Sequence, residues 1–305
     1  MSKLFFFIII FCFQIIIVIV FQNHLSNFLF SNSETIKLCD SLSNISISEI
    51  ILHEPLYDDF NTDFIVLIHS AIENIKNRNI FRNEIKNFLK FNIIFILGNG
   101  NIDEEFYLHK DILQGEFLDS YRNLTRKHIF GLSWVVNRFS NTKWILKIDD
   151  DIFVNFNMIQ KHFERLKAKK TLKNHYILGY IHDRMTVIRQ PQSKWFVEKK
   201  EFSFDYYPEF VSGWGYLTRI ISAKVLLNTI KNDDKRFWID DVYITGIIRT
   251  KTCIRLFAIN HLFNIDISRL QQWLNGKKKT FEVFFSNTNN DLELLKNAFQ
   301  QINNK

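Results

Sequence analysis

Cysteine and proline occur only three times each, and glycine nine times, in 305 residues. Cys12, Cys39 and Cys253 are too few for a disulfide-knotted mini-protein and form no CxxC pair, which leaves a single Cys39–Cys253 bridge as an open pairing. So little glycine and proline excludes collagen-like repeats, and hydrophobic residues at 47% exclude a disordered chain. No GxGxxG or GxxxxGK[ST] stretch occurs, so dinucleotide enzymes and P-loop NTPases are not expected. The net charge of +7 fits anionic partners in general, but the basic runs Lys167–Lys173 and Lys277–Lys279 carry no interleaved aromatic residues and read as solvated faces. Nucleic acid is therefore not an expected partner.

The longest apolar run is Leu4–Phe21, broken only by Gln14. At 1.5 Å per residue such a helix reaches about 27 Å, near the hydrocarbon thickness of a thin bilayer. Gln22-Asn23-His24 follows it with no small-residue cleavage site, and Lys3 precedes it, which favours an uncleaved signal anchor with residues 1–3 cytoplasmic and the rest lumenal. Residues 22–61, rich in Ser and Asn, read as a stem, and residues 62–305 as one α/β domain. The sequons at Asn44 and Asn123 are N-glycosylation acceptors for a lumenal chain.

Within that domain, short apolar runs alternate with amphipathic stretches. Phe64–Ile68 reads as a strand, Asn79–Lys90 as a helix and Asn92–Leu97 as a second strand, a β-α-β unit. Tyr121–Phe139 reads as a helix, Lys143–Ile148 as a strand, Phe156–Leu166 as a helix and Tyr176–Ile181 as a further strand.

The chemistry concentrates in three stretches. Lys143–Ile148 runs into Asp149, Asp150 and Asp151 and then becomes apolar again, so three like charges are held where burial raises their proton affinity. A divalent cation would offset that charge, and carboxylate oxygens at a strand's C-terminal end suit Mg²⁺ or Mn²⁺. Asp240 and Asp241 form a second acidic pair among apolar residues, where one could serve as general base or simply cap the helix that begins at Val242. Between these stretches, Gly213 and Gly215 flank Trp214, either as a tight turn or as backbone that lets a sugar ring approach the aromatic faces.

The order and spacing of these pieces resemble the β-1,3-glycosyltransferases of the secretory pathway, glycosyltransferase family 31. Ile65–Ala71 followed by Arg78–Arg82 resembles the first strand and R-x-x-x-R helix of that family, and Ile94–Gly98 its second strand. Asp111–Lys127 is similar to its D-I-I-Q-x-D-F-x-D-S-Y-x-N-L-T-x-K segment, Lys147–Asn155 to its DxD-type metal motif, Lys194-Trp195 and Tyr207–Tyr216 to its aromatic-glycine segment, and Asp240-Asp241-Val242 to its E-D-V.

The resemblance implies a GT-A fold behind a single N-terminal transmembrane helix, in the Golgi membrane. It implies inverting β-1,3 transfer of a sugar, galactose first and N-acetylglucosamine as the rival, from a UDP donor to a glycoprotein or glycolipid acceptor. Mn²⁺ or Mg²⁺ would be held by Asp151, Asp149 and His261, with Asp241 as the base. Asp149, Asp150, Ser70, Arg78, Arg82 and Lys127 would serve the nucleotide sugar, and Gly213, Trp214, Gly215, Tyr216 and Asp240 the sugar pocket. A catalytically inactive glycan-binding relative is the alternative reading. Three positions depart from the pattern: Phe139 stands where a cysteine is common, Ile85 where a tryptophan is usual, and Asp240 where the glutamate of E-D-V is expected.

Overall fold

The computed structural model describes residues 45–46, 49–56, 64–85, 92–139, 141–168, 175–278 and 280–303. The expected anchor, most of the expected stem and Asn44 lie outside the described residues, and no described helix is long and apolar enough to cross a membrane.

The first half of the domain builds a parallel sheet. After a short strand β1 (Ile51–His53) come β2 (Phe64–His69), α1 (Ile75–Ile85), β3 (Asn92–Asn99), α2 (Asp103–His109) and β4 (Ile112–Leu118). A 3₁₀ turn at Tyr121–Asn123 then leads into α3 (Leu124–Arg138), which returns the chain to β5 (Trp144–Asp149). All six residues of β2 are buried, as expected for a parallel strand covered on both faces. Its side chains divide by parity: Ile65 and Leu67 enter one core cluster, while Phe64, Val66 and Ile68 enter the other.

The second half is less regular. It runs through β6 (Ile152–Val154), α4 (Phe156–Ala168), β7 (Tyr176–His182), β8 (Phe210–Arg219), α5 (Ile220–Lys231), a π-helical segment at Val242–Ile248 and β9 (Arg255–Ala258). A 3₁₀ turn at Asn260–Leu262, β10 (Phe263–Asn264), α6 (Ile267–Leu274), β11 (Phe285–Asn287) and α7 (Leu292–Asn303) complete it. The large sheet has the order β1-β4-β3-β2-β5-β8-β7-β9, with β4, β3, β2 and β5 parallel and β8 antiparallel to both of its neighbours. A smaller sheet, β10-β11-β6, lies beside it. Because β5 belongs to the large sheet and β6 to the small one, Asp149–Asp151 mark the place where the chain leaves one sheet for the other.

The glycine-rich stretch is not a turn. Gly213 and Gly215 lie inside β8, where Gly215 pairs with Ile148, and a Cβ at Gly215 would stand 2.5 Å from the Phe285 ring. The aromatic ring of the small sheet thus occupies the space a side chain would need. Ile85 and Phe139, two of the departures from the family pattern, are both core residues, with Phe139 packed on Trp134 at 5.4 Å between ring centroids. Cys253 is disulfide-bonded, and the other two cysteines lie outside the described residues.

Candidate active site

The three adjacent aspartates point to three different environments. Asp149 ends β5 opposite His69 of β2, and its Oδ1 accepts from Lys147 Nζ at 2.6 Å. The same ammonium donates to the Gly213 carbonyl at 2.6 Å, so one buried lysine joins β5 to β8 beneath the site. Asp150 turns inward, accepting from Ser70 Oγ at 2.5 Å and from Asn74 Nδ2 at 3.1 and 3.2 Å. Asp151 is half-buried, and its backbone carbonyl is fixed by Thr288 Oγ1 at 2.6 Å. Burial and the charges of Asp149 and Asp150 push the Asp151 carboxyl up to about 7, and burial pushes Asp150 up to about 6.

The second acidic pair divides in the same way. Asp241 caps the π-helical segment, accepting from Val242 N at 2.8 Å through one oxygen and from Gly213 N at 2.9 Å through the other. The capping carboxylate is thus also tied to β8 through Gly213. Burial, and then the neighbouring charge of Asp240, raise its proton affinity well above that of an ordinary aspartate. Asp240 goes the other way: against burial, the His128 hydrogen bond and the Lys147 ammonium hold its carboxyl low. Its Oδ2 lies 2.7 Å from His128 Nδ1, and His128 Nε2 lies 2.6 Å from the Tyr216 hydroxyl.

Four of these carboxylates share a cavity of about 680 Å³. Asp149, Asp151, Asp240 and Asp241 line it together with Gly213 and Trp214, and its aromatic wall includes Tyr121, Trp195 and Trp238. Two of those wall residues, Tyr121 and Trp195, are substantially exposed, at 41% and 44%. Lys194 reaches over this wall, with its ammonium 4.4 Å from the Trp195 ring centroid and 5.6 Å from that of Tyr121.

Several residues expected to serve the nucleotide sugar do not line this cavity and are paired within the protein. Arg78 is wholly buried, pairing with Glu105 at 2.6 Å and donating to Ser70 Oγ at 2.9 Å; Arg82 pairs with Glu105 at 2.6 Å and with Asp111 at 2.7 Å. Against burial, these two guanidiniums hold Glu105 below the usual carboxylate range. Lys127 is also buried, and donates to the Ser70 carbonyl at 2.5 Å and to Asp119 at 2.6 Å. Gly215 and Tyr216 are buried in β8 and do not line the cavity. His261, exposed in the 3₁₀ turn beyond β9, does not line it either, and the ligand atoms of Asp149, Asp151 and His261 do not all lie within 4.8 Å of one another. Asn123 is half-buried and donates from its amide to the Leu118 carbonyl at 2.9 Å, while Thr125 of the same sequon is buried against the Phe237 carbonyl.

Among the described residues, the His, Cys, Asp and Glu groups whose ligand atoms all lie within 4.8 Å of one another are His69, His128 and Asp240. His128 meets a polar group at both ring nitrogens, whereas His69 stands 4.0 Å from Asp240 and its Nε2 has no hydrogen-bond partner among the described residues, so a cation held by these three would have to displace a bond of His128. Asp149 and Asp151 fit a divalent cation better. Both line the cavity and both offer hard oxygen donors, and burial together with the charges of Asp149 and Asp150 raises the proton affinity of Asp151, a cost that a cation would relieve. Sequence reasoning overlooked His128 and Tyr121 as site components. His128 directly follows the Asp111–Lys127 segment but carries no pattern of its own, and only the fold brings it to Asp240.

Known proteins similar in sequence to this chain fall in one family. The Galactosyltransferase family profile matches residues 76–259. Beta-1,3-galactosyltransferase 1 of Mus musculus is 31% identical over 252 residues, covering 78% of this chain and 72% of that protein. Beta-1,3-galactosyltransferase 5 of Pan paniscus is 32% identical over 188 residues, covering 59% of this chain and 58% of that protein. The chain thus spans somewhat over half the length of the latter relative and nearly three quarters of the former. Among solved structures, the apo form of the bifunctional glycosyltransferase WbbM is 11% identical, with 82% of this chain and 53% of that chain covered at a TM-score of 0.43. The acidic stretch Asp149–Asp151 lies at the end of β5, where open α/β sheets bind ligands. The chain belongs to the galactosyltransferase family.

Proposed function

We propose that the protein is an inverting β-1,3-hexosyltransferase of the GT-A type, which moves galactose from UDP-galactose to a hydroxyl of a glycan on a protein or lipid. The observation that carries this reading is the convergence of Asp149, Asp151 and Asp241 on one cavity, from two elements that Gly213 links. In the reaction, Asp241 takes the proton of the acceptor hydroxyl, and that oxygen attacks the anomeric carbon while the bond to UDP breaks with its electrons leaving on the diphosphate. One base is enough for inversion, and no covalent sugar–protein link forms. Gly213 and Val242 hold Asp241 by its two oxygens, leaving its remaining lone pairs for the acceptor. A bound Mn²⁺ or Mg²⁺, held by Asp149 and Asp151, would supply charge neutralisation for the diphosphate. Lys147 keeps Asp149 oriented for that task.

The aromatic wall of Tyr121, Trp195 and Trp238 offers flat faces to sugar rings entering the cavity. Anchoring in the Golgi membrane through residues 4–21, with a stem over 22–61 and the transferase domain in the lumen, is part of the same proposal; it rests on the apolar run and its flanks. Carbonate extraction tests it, since an anchored chain stays with the membrane pellet. For the reaction itself, the test is UDP release from a panel of UDP-sugars by the full-length protein in detergent, with Mn²⁺ and then with EDTA. Metal-dependent release from UDP-galactose is expected. Release from UDP-N-acetylglucosamine alone would replace the donor, and UDP binding without release from any sugar, acceptor present, would favour a glycan-binding relative.

A further inference from the structure

His128, on the inward side of α3, is 1% exposed and meets a polar group at each ring nitrogen. The surroundings fix the direction of both bonds. Burial keeps the Tyr216 phenol protonated and the imidazole neutral, so Tyr216 donates to Nε2, and Nδ1–H donates to the Asp240 carboxylate. His69 closes the far side, its ring edge-on to His128 at 4.8 Å and its Nδ1 4.0 Å from Asp240 Oδ2. This chain of buried groups draws on β2, α3 and β8 and ends one residue from Asp241. An ionised carboxylate sealed in such a place is costly unless fully bonded, and a fully bonded one has a single position.

Taking Asp241 as the base, as proposed above, we infer that His128 is a positioning residue for the transfer: it holds Asp240 as a fixed negative charge beside Asp241, and so sets the pH range in which Asp241 can accept the acceptor proton. No proton travels along the chain itself. The proton moves only from the acceptor hydroxyl to Asp241, while Tyr216 and His128 keep their protons and Asp240 stays ionised. A fixed negative charge next to a carboxyl strengthens its hold on a proton, and the effect of Asp240 on Asp241 has that sign. The other titratable groups acting with Asp241 are Lys147 of β5 and the phenols Tyr121 and Tyr207, with Asp149 and Asp151 on the same cavity; Lys147 acts in the opposite sense to Asp240.

The test compares full-length wild type with His128→Ala, Asp240→Asn and Asp241→Asn at saturating Mn²⁺. It follows kcat and KM for the UDP-sugar turned over fastest in the panel, UDP-galactose on the present reading, from about pH 5 to about pH 9. His128→Ala should lower kcat about 10- to 100-fold, the range seen when a supporting hydrogen-bond partner is lost, with KM nearly unchanged. It should also move the acidic limb of the profile to lower pH, by about one unit. Asp240→Asn keeps an acceptor oxygen for Nδ1–H but removes the charge, so it should fold normally and shift the limb in the same direction. An unmoved limb in Asp240→Asn overturns the inference, as does wild-type kcat in His128→Ala; a lower kcat with an unmoved limb would make His128 structural only. Asp241→Asn separates the two ideas. Wild-type turnover there removes the base itself, whereas loss of turnover there with an unmoved limb in Asp240→Asn removes only the positioning role.

Discussion

The Gly213 amide donates to Asp241 Oδ2 at 2.9 Å, and a Cβ at Gly213 would stand 3.3 Å from that same oxygen. The space at Gly213 is thus limited by the closeness of β8 to the carboxylate and not by a turn. Gly213→Ala should push Asp241 aside by a few tenths of an ångström and lower kcat about tenfold, with UDP affinity nearly unchanged. Steady-state kinetics beside a UDP titration checks this; equal losses in both would place Gly213 in donor binding instead.

Asp151 offers a test in which binding and stability move in opposite directions. Its folded carboxyl is pushed up to about 7, above the ordinary aspartate value, so its contribution to stability is present at low pH and is lost as pH rises through about 7. In EDTA at pH near 8, Asp151→Asn should melt higher than wild type, by roughly 1–2 kcal/mol once partial exposure is allowed for, and the gain should vanish near pH 4. The same substitution should abolish Mn²⁺-dependent UDP binding. Calorimetry across pH together with UDP titrations decides it, and intact metal-dependent binding in the variant would exclude Asp151 as a metal carboxylate.

Glu105 binds both Arg78 and Arg82 in the interior beside the site. Removing it leaves two buried guanidiniums short of a partner, so Glu105→Ala should cost about 3–5 kcal/mol of stability. Below its melting transition the variant should still bind UDP with nearly wild-type affinity, because neither arginine lines the cavity. A large loss of UDP affinity in folded protein would return the arginines to the nucleotide site.

How much was legible beforehand follows from which forces act locally. The buried strand β2 and the helix beginning at Phe156 were readable because continuous apolar runs and a 3.6-residue period are local signals. The strand β8 was not: glycines at 213 and 215 mimic a turn, and only the Phe285 ring and the Asp241 carboxylate, both distant in sequence, explain them. Asp151 and Asp241 stand out in sequence as members of acidic stretches flanked by apolar residues, and both line the cavity. Their neighbours Asp150 and Asp240 look identical in sequence, yet Ser70 and His128 claim them. Arg78 and Arg82 illustrate the same limit, since a basic helix face gives no sign that Glu105 and Asp111 will neutralise it in the interior.

The measurement that bears most directly on the account is a comparison of Asp241→Asn with wild type, in sugar transfer from UDP-galactose and in UDP binding with Mn²⁺. The variant should bind UDP as wild type does, while turnover falls about 10²- to 10⁴-fold, the loss expected for a missing general base. Turnover that survives at the wild-type rate would contradict the central claim that this carboxylate, held by Gly213 and Val242, takes the acceptor proton.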